Sequence, residues 1–269
     1  MRVLSPAKIN WSLRVLGRRG DGFHDLETLF QTISLHDVLT FTPARETTLV
    51  CDDPSIPTDE SNLILRAARA LGAPPVAIEL RKRIPAGGGL GGGSSNAATT
   101  LRALNELFDL GFEDFDLAEI ALQLGSDVPF FLVGGTAYAT GRGEELGSMQ
   151  PAPKIPLLLL LPDERMLTPE AFRMLRHFSS PLGMERYAEI LAAGLLPDAT
   201  ELTNDFEEPV FAKLPRLAEL RQRLLDAGAA WARMSGSGST IVGAFRDAAS
   251  RDAARAAFSD VRCEAAEPV

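Results

Sequence analysis

Residues 84–101 read IPAGGGLGGGSSNAATTL, with six glycines in the seven positions 87–93. Glycine loses more backbone freedom on folding than any other residue, so a run this dense needs a use. Its flanks say what it joins. Before it, in VAIELRKR, Val76, Ile78 and Leu80 alternate with Ala77, Glu79 and Arg81, which is the period of a half-buried strand. After it, Ala97, Leu101, Leu104 and Phe108 recur at helical spacing. Ser94, Ser95 and Asn96 are good N-cap types for the start of that helix. A strand–glycine–helix junction offers unpaired N–H groups and a partial positive charge. Glycines let a ligand approach the backbone closely, and a phosphate is the usual occupant. A flexible linker or a structural turn is the competing reading.

The kind of phosphate loop is narrowed by what is missing. A Walker A loop needs Gly-Lys-Ser/Thr, and no lysine lies between Arg83 and Lys154. Gly87, Gly89 and Gly92 satisfy G-x-G-x-x-G formally, as any glycine-dense run does. A first Rossmann strand is buried on both faces and reads as a continuous apolar run, whereas VAIELRKR is one-sided. Asp109 falls just past the helix rather than at a strand end, where a ribose-binding acid belongs.

With 269 residues, 45% hydrophobic and 23% charged, the chain has ample apolar content for a core, in one large domain or two. Its net charge of −9 makes it a poor binder of nucleic acid or membrane surfaces in bulk. Cys51 and Cys263 show neither metal-ligand spacing nor a disulfide framework, which fits a reducing compartment. MRVLSPAKIN lacks a signal-peptide core, and LLLLL at 157–161, bounded by Pro156 and Pro162, reads as a buried strand. The expectation is a cytoplasmic protein with no nucleic acid and no membrane partner. The three prolines of SMQPAPKIP (148–156) mark the best boundary, giving domains at 1–150 and 151–269. Upstream, FDLAEIALQL reads as a helix stopped by Gly125, and GTAYAT as a strand followed by the tight turn GRGE. Downstream the order is a strand at 157–161, a helix at about 169–177, helix through NDFEEPVF, a helix at about 215–227, strands WARM and STIVGAF, a helix at about 248–258 and strand VRCEA. That tail has the character of a ferredoxin-like β-α-β unit.

Three other stretches offer chemistry. In SPAKINWSLRV, Ile9, Trp11, Leu13 and Val15 alternate, so Lys8, Asn10, Ser12 and Arg14 share the opposite face. A lysine and an asparagine one strand step apart can point at one ligand, or can simply line a solvated face. In LGSDVPFFL, Asp127 stands beside Val128, Pro129, Phe130 and Phe131 after a helix has ended. An acid partly desolvated there suits a proton acceptor. Ser126 or Asp127 as the cap of a short helix is the structural alternative. MSGSGSTIVG (234–243) is a second anion-facing loop or a hairpin turn.

Taken in order, these stretches resemble the GHMP kinase superfamily. Its phosphate loop has the form P-x-x-x-G-L-x-S-S-A. Here Pro85 and Gly89-Leu90 are followed by Gly93-Ser94-Ser95 and Ala97-Ala98. PAKINWSLRVLGRRGDGFHDLETLF, PAGGGLGGGSSNAA, LGSDVPFFL, GTAYATGRGEEL, TNDFE and MSGSGS together are similar to the branch that acts on a cytidine-diphosphate sugar alcohol, and they run from Pro6 to Gly243. The resemblance implies a two-domain α/β (α+β) fold, with a left-handed β-α-β crossover in the N-terminal ATP-binding domain and a ferredoxin-like C-terminal domain. It implies a kinase that uses ATP and Mg2+ to phosphorylate the 2-hydroxyl of 4-CDP-2-C-methyl-D-erythritol in the non-mevalonate route to isopentenyl diphosphate. Such a chain is expected to be a monomer or a weak homodimer. By position, Lys8 and Asp127 match the catalytic lysine and the general base, with no protein metal ligand assigned. Ala86, Gly87, Gly88, Gly89, Leu90, Gly91, Gly92, Gly93, Ser94, Ser95 and Asn96 match the cradle for ATP phosphates. Asn10, Phe23, His24 and Phe172 match substrate-binding positions. Phe23 departs from the pattern, since the family usually has Tyr-His there; the ring remains and a hydroxyl is lost. The alternatives are a GHMP kinase for homoserine, mevalonate or a sugar, an RNA-binding module, and a non-catalytic ATP-binding regulator.

Overall fold

The computed structural model describes residues 1–269, the side chain of Asp198 excepted. The chain forms two compact units interleaved in sequence. One comprises Met1–Ala7, Leu35–Ala86 and Gly91–Gly134, and the other Lys8–Ser34, Gly87–Leu90 and Gly135–Val269. Two long paired strands pass through both: β1 (Arg2–Arg18) and β2 (His24–Pro43). β2 is rich in the β-branched and aromatic residues that suit a pleated surface, among them Thr28, Phe30, Ile33, Val38 and Phe41.

The first unit continues with β3 (Thr48–Cys51), α1 (Leu63–Ala70), β4 (Val76–Arg81), α2 (Gly92–Phe108), α3 (Asp114–Leu124) and α4 (Val128–Val133). β3 and β4 pair in parallel across α1, a β-α-β unit, and β4 pairs antiparallel with residues 38–43 of β2. The alternation expected for β4 is present: Val76, Ile78 and Leu80 are buried while Glu79 and Arg81 are exposed. They join Ala97, Leu101 and Leu104 of α2 and Ile64 and Ala67 of α1 in one core. The Asn62 side chain caps α1 by accepting from Ile64 N at 2.9 Å.

Two local expectations are corrected here. α2 starts at Gly92, so Ser94, Ser95 and Asn96 sit inside the helix rather than capping it. Gly91, at φ +68°, turns the chain directly into the helix without a side-chain cap. Gly125 does end α3, but with extended backbone instead of a left-handed stop.

The second unit adds β5 (Thr136–Thr140), β6 (Glu145–Ser148), β7 (Leu157–Leu161), α5 (Thr168–Met174), α6 (Met184–Ala192), α7 (Glu207–Lys213), α8 (Pro215–Asp226), β8 (Trp231–Met234), β9 (Ile241–Ala244), α9 (Ala248–Arg255) and β10 (Arg262–Ala266). β5 pairs with residues 28–31 of β2 and with β6. β7, α8, β8, β9, α9 and β10 form the ferredoxin-like motif, with antiparallel strand order β10-β7-β9-β8. All five leucines of β7 are buried because the strand lies inside that sheet. Leu217, Leu220 and Leu224 give α8 one apolar face, packed with Leu158, Leu160, Phe206, Met234 and Ile241. Helix α7 begins only at Glu207, leaving Asn204 and Asp205 of the expected helix outside it, and α5 stops at Met174, where Leu175 turns extended. Among the described residues no helix is long and apolar enough to cross a membrane.

The junction between β4 and the glycine run is pinned by Asp37, which is fully buried. Its carboxylate accepts from Arg83 N at 2.7 Å, Ile84 N at 2.9 Å and Lys82 Nζ at 2.5 Å. Replacing it with alanine strands a buried ammonium and two amides. Asp37→Ala is expected to cost about 3–5 kcal/mol in a urea unfolding curve, and a loss under about 1 kcal/mol would show the clamp to be dispensable.

Candidate active site

The glycine run is shaped by its backbone, not loose. Gly87, Gly89 and Gly91 have φ of +68°, +78° and +68°, a left-handed geometry at alternate positions that side-chain-bearing residues rarely adopt. Gly92 is tight for a different reason. It is helical, but a Cβ there would lie 2.9 Å from Ile84 Cγ2. Three successive carbonyls of the run are taken by protein donors: Gly88 O by Thr240 N (3.2 Å), Gly89 O by Ser235 Oγ (3.0 Å) and Leu90 O by Lys8 N (3.0 Å). Acceptor oxygens are thereby turned to the protein. The first turn of α2 follows, with the N–H groups that no helix can satisfy internally. At the end of that turn Ser95 and the following Asn96 are buried. Ser5 Oγ is 2.7 Å from Ser95 Oγ and donates to Asn96 Oδ1 at 2.7 Å. The linker reading does not survive this geometry.

The second glycine stretch is the turn between β8 and β9, and it touches the first. Gly236 and Gly238 have positive φ. A Cβ on Gly89 would sit 2.0 Å from the Ser235 carbonyl oxygen. The turn reading therefore holds, and the turn packs against the first loop.

Lys8 and Asn10 are neighbours on one face of β1, as the strand period requires. That face is not solvated: Lys8 is 4% and Asn10 2% exposed. Lys8 Nζ donates to Asn10 Oδ1 at 2.7 Å and lies 5.0 Å from the Phe30 ring centroid. Asn10 Nδ2 donates to Thr28 Oγ1 at 2.8 Å, which in turn donates to Ser12 O. The chain of bonds fixes the direction of the ammonium.

Asp127 occupies the N-cap position of α4 yet makes no capping hydrogen bond to it. The carboxylate is half-buried beside the buried Val128, Pro129 and Phe130.

A tight turn at Gly22 (φ +88°) presents Phe23, which is 52% exposed, with the Arg142 guanidinium 4.9 Å from its ring centroid. His24 stacks on Phe172, with centroids 4.6 Å apart and planes 19° apart, and Phe178 lies tilted at 6.2 Å. Burial, assisted by Arg18, holds the His24 imidazole below its ordinary pKa, so it is neutral near pH 7. Arg142 and Phe178 were not foreseen. The GRGE turn carried the only sequence signal for the former, and the latter lies in an irregular stretch with none.

The residues 62–135 match the model of the GHMP kinase N-terminal domain, and 188–262 match that of the GHMP kinase C-terminal domain. The chain belongs to the GHMP kinase family. It is 42% identical over 255 residues to a 4-diphosphocytidyl-2-C-methyl-D-erythritol kinase of Pelotomaculum thermopropionicum, covering 91% of this chain and 89% of that one. It is 46% identical over 254 residues to the same-named kinase of Solibacter usitatus, covering 90% and 80%. A crystal structure of a 4-(cytidine 5'-diphospho)-2C-methyl-D-erythritol kinase superposes with a TM-score of 0.85 at 38% identity, over 100% of this chain and 99% of that one.

The loop geometry makes a prediction about two glycines. Gly89→Ala combines a left-handed φ with a backbone collision, and should lower the melting temperature by at least about 3 °C and weaken ATP binding in calorimetry. Gly93→Ala, where a Cβ would meet only Leu63 Cδ1 at 3.7 Å, should leave the melting temperature within about 2 °C. Equal behaviour of the two variants would refute the assigned loop conformation.

Proposed function

We propose that this chain transfers the γ-phosphoryl group of ATP to the 2-hydroxyl of 4-CDP-2-C-methyl-D-erythritol, a step of the non-mevalonate route to isopentenyl diphosphate. The carrying observation is the identity of about 40% over nine-tenths of the chain to kinases of that name. The aromatic group of Phe23, His24 and Phe172 supports it, because a nucleobase needs flat faces to stack on.

Residues 86–96 hold the nucleotide phosphates through backbone N–H groups and the start of α2. Asp127 accepts the proton of the substrate hydroxyl. The oxygen freed of that proton bonds to the γ-phosphorus as the bond to the β,γ-bridging oxygen breaks, and ADP leaves. Lys8, aimed by Asn10, stabilises the charge that builds on the transferring oxygens. Ser94, half-buried in the first turn of α2, offers a hydroxyl of the hard-oxygen kind that Mg2+ would take, with the nucleotide phosphates expected to supply most of its other ligands. When bound it neutralises phosphate charge. Phe23, His24 and Phe172 hold the cytosine. The division into an ATP-binding domain at 1–150 and a second domain at 151–269, and a monomer or weak homodimer, belong to the same proposal. So does the absence of a nucleic-acid partner, for which the net charge of −9 is the support.

Consumption of ATP should be compared with 4-CDP-2-C-methyl-D-erythritol, homoserine, mevalonate and a sugar as acceptors. Preference for any of the last three sinks the substrate assignment. Asp127→Asn should lower kcat by ~10²–10⁴ while ATP still binds. Retention of a tenth of the activity would make Asp127 a structural residue. Lys8→Met should lower kcat by ~10²–10³, whereas an effect on KM alone would mean it only binds substrate. Phe23→Ala should weaken cytidine and uridine diphospho-substrates alike, by roughly ten-fold in kcat/KM, and Phe23→Tyr should be nearly silent.

A further inference from the structure

The TNDFE segment takes no part in the chemistry above, yet it holds β1 on one side and the second glycine loop on the other. Its backbone bridges β1: Leu13 N donates to Thr203 O at 2.7 Å and Asp205 N to Leu13 O at 3.0 Å. The Asp205 carboxylate accepts from Val15 N (2.7 Å) and from Ser179 Oγ (2.9 Å). Asn204, 6% exposed, turns the other way. Its Nδ2 donates to Met234 O at 2.7 Å and to Gly236 O at 2.8 Å, while its Oδ1 accepts from Phe206 N at 2.9 Å. Glu207 Oε1 accepts from Met234 N at 2.8 Å. Beyond the loop, Ser235 Oγ reaches Gly89 O, and Leu90 O accepts from Lys8 N on β1. The bonds close a circuit: β1 to TNDFE, TNDFE to the second glycine loop, that loop to the first, and the first back to β1. The side chain supplies two donors and one acceptor there. An aspartate would set oxygens against two carbonyls, and a leucine would leave those carbonyls unpaired.

We infer that Asn204 is a positioning residue for ATP binding: it fixes the height of the 235–240 loop against Gly89 and so the shape of the first glycine loop. This rests on the reading of that first loop as the holder of the ATP phosphates. Asn204 touches no reacting group in this scheme, so its loss acts on nucleotide affinity rather than on the transfer step.

The test measures KM for ATP, KM for the cytidine substrate and kcat, with the affinity for a non-hydrolysable ATP analogue and a melting curve, for Asn204→Asp, Ser235→Ala and Gly89→Ala. Asn204→Asp is expected to raise KM for ATP and weaken the analogue by about ten-fold, with kcat at saturating ATP within about three-fold and KM for the cytidine substrate unchanged. Ser235→Ala, which removes only the hydroxyl that reaches Gly89, is expected to shift ATP affinity the same way by about three-fold, and it decides the matter if Asn204→Asp does not fold. A lowered melting temperature with unchanged ATP affinity, or a fall confined to kcat, overturns the inference. Should Gly89→Ala bind ATP as the parent does, the phosphate-loop reading itself fails. Loss of ATP binding in Gly89→Ala alone, with Asn204→Asp and Ser235→Ala unaffected, overturns only the role given to Asn204.

Discussion

The absence of a side chain at position 89 is what allows two loops nearly 150 residues apart in sequence to meet backbone to backbone. A Cβ there would lie 2.0 Å from Ser235 O and 3.3 Å from Gly238 N. Six glycines in seven positions carry a large entropic cost. The cost is offset because the run is not left free: carbonyls 88 and 89 accept hydrogen bonds from the 235–240 loop and carbonyl 90 from Lys8 on β1. Those bonds also settle the polarity of the loop. With these three acceptors committed to protein, an anion approaching the loop would meet fewer free carbonyl oxygens and more N–H groups. Glycine density here serves contact and dipole orientation together, which explains why neither a linker nor a generic turn describes it.

The same logic governs the polar face of β1. Burying an ammonium to 4% exposure is unfavourable unless hydrogen bonds accompany it. Asn10, Thr28 and the Ser12 carbonyl supply a relay of such bonds behind Lys8. A fold seeking stability alone would place an apolar residue at position 8, as it does at Ile9 and Trp11. A buried, aimed and bonded lysine is a local departure from that preference, and departures of this kind concentrate where a protein does its work.

How far the sequence disclosed this depends on the range of each interaction. The strand–loop–helix junction and the shared face of Lys8 and Asn10 rest on neighbours within a few residues, so periodicity exposed them. The burial of that face was hidden, because its cover comes from Thr28 and Phe30 on another strand. The start of α2 was misplaced because capping rules favour Ser and Asn, whereas a left-handed Gly91 turned the chain without either. α6 was overlooked although Tyr187, Ile190 and Leu191 carry helical spacing; the bounds of the long β2 were not read within the strand-rich start because Glu27–Ile33 is an unbroken buried run without alternation. The bonds of Asn204 reach 30 and 32 positions onward into a turn, and no local pattern announces them. His24 and Phe172 were each named from family resemblance alone, and their stacking on one another, between residues nearly 150 positions apart, had no local signal.

That pairing also bears on how a pocket built from rings can be selective. In the proposed role, stacking on Phe23 or Phe172 would hold any base, because every base has a π face. Selection requires polar groups that match one Watson–Crick edge and are left unpaired by another. The Phe172 ring is braced edge-on by Phe206 at 4.9 Å and 86°, so His24 stacks on a fixed surface. A fixed surface lowers the ordering cost of a bound ring. Burial in the same place, with Arg18 nearby, lowers the pKa of the imidazole and so favours its neutral form. A neutral imidazole carries one donor and one acceptor nitrogen, whereas the protonated form carries two donors. Cytosine presents both a donor and acceptors along its pairing edge, so in the proposed role the neutral form would be the one able to match either kind. In the proposed role of His24 toward the base, the apolar packing against Phe172 would therefore do more than fill space: by favouring the neutral form it would extend to lower pH the range in which an acceptor nitrogen is present.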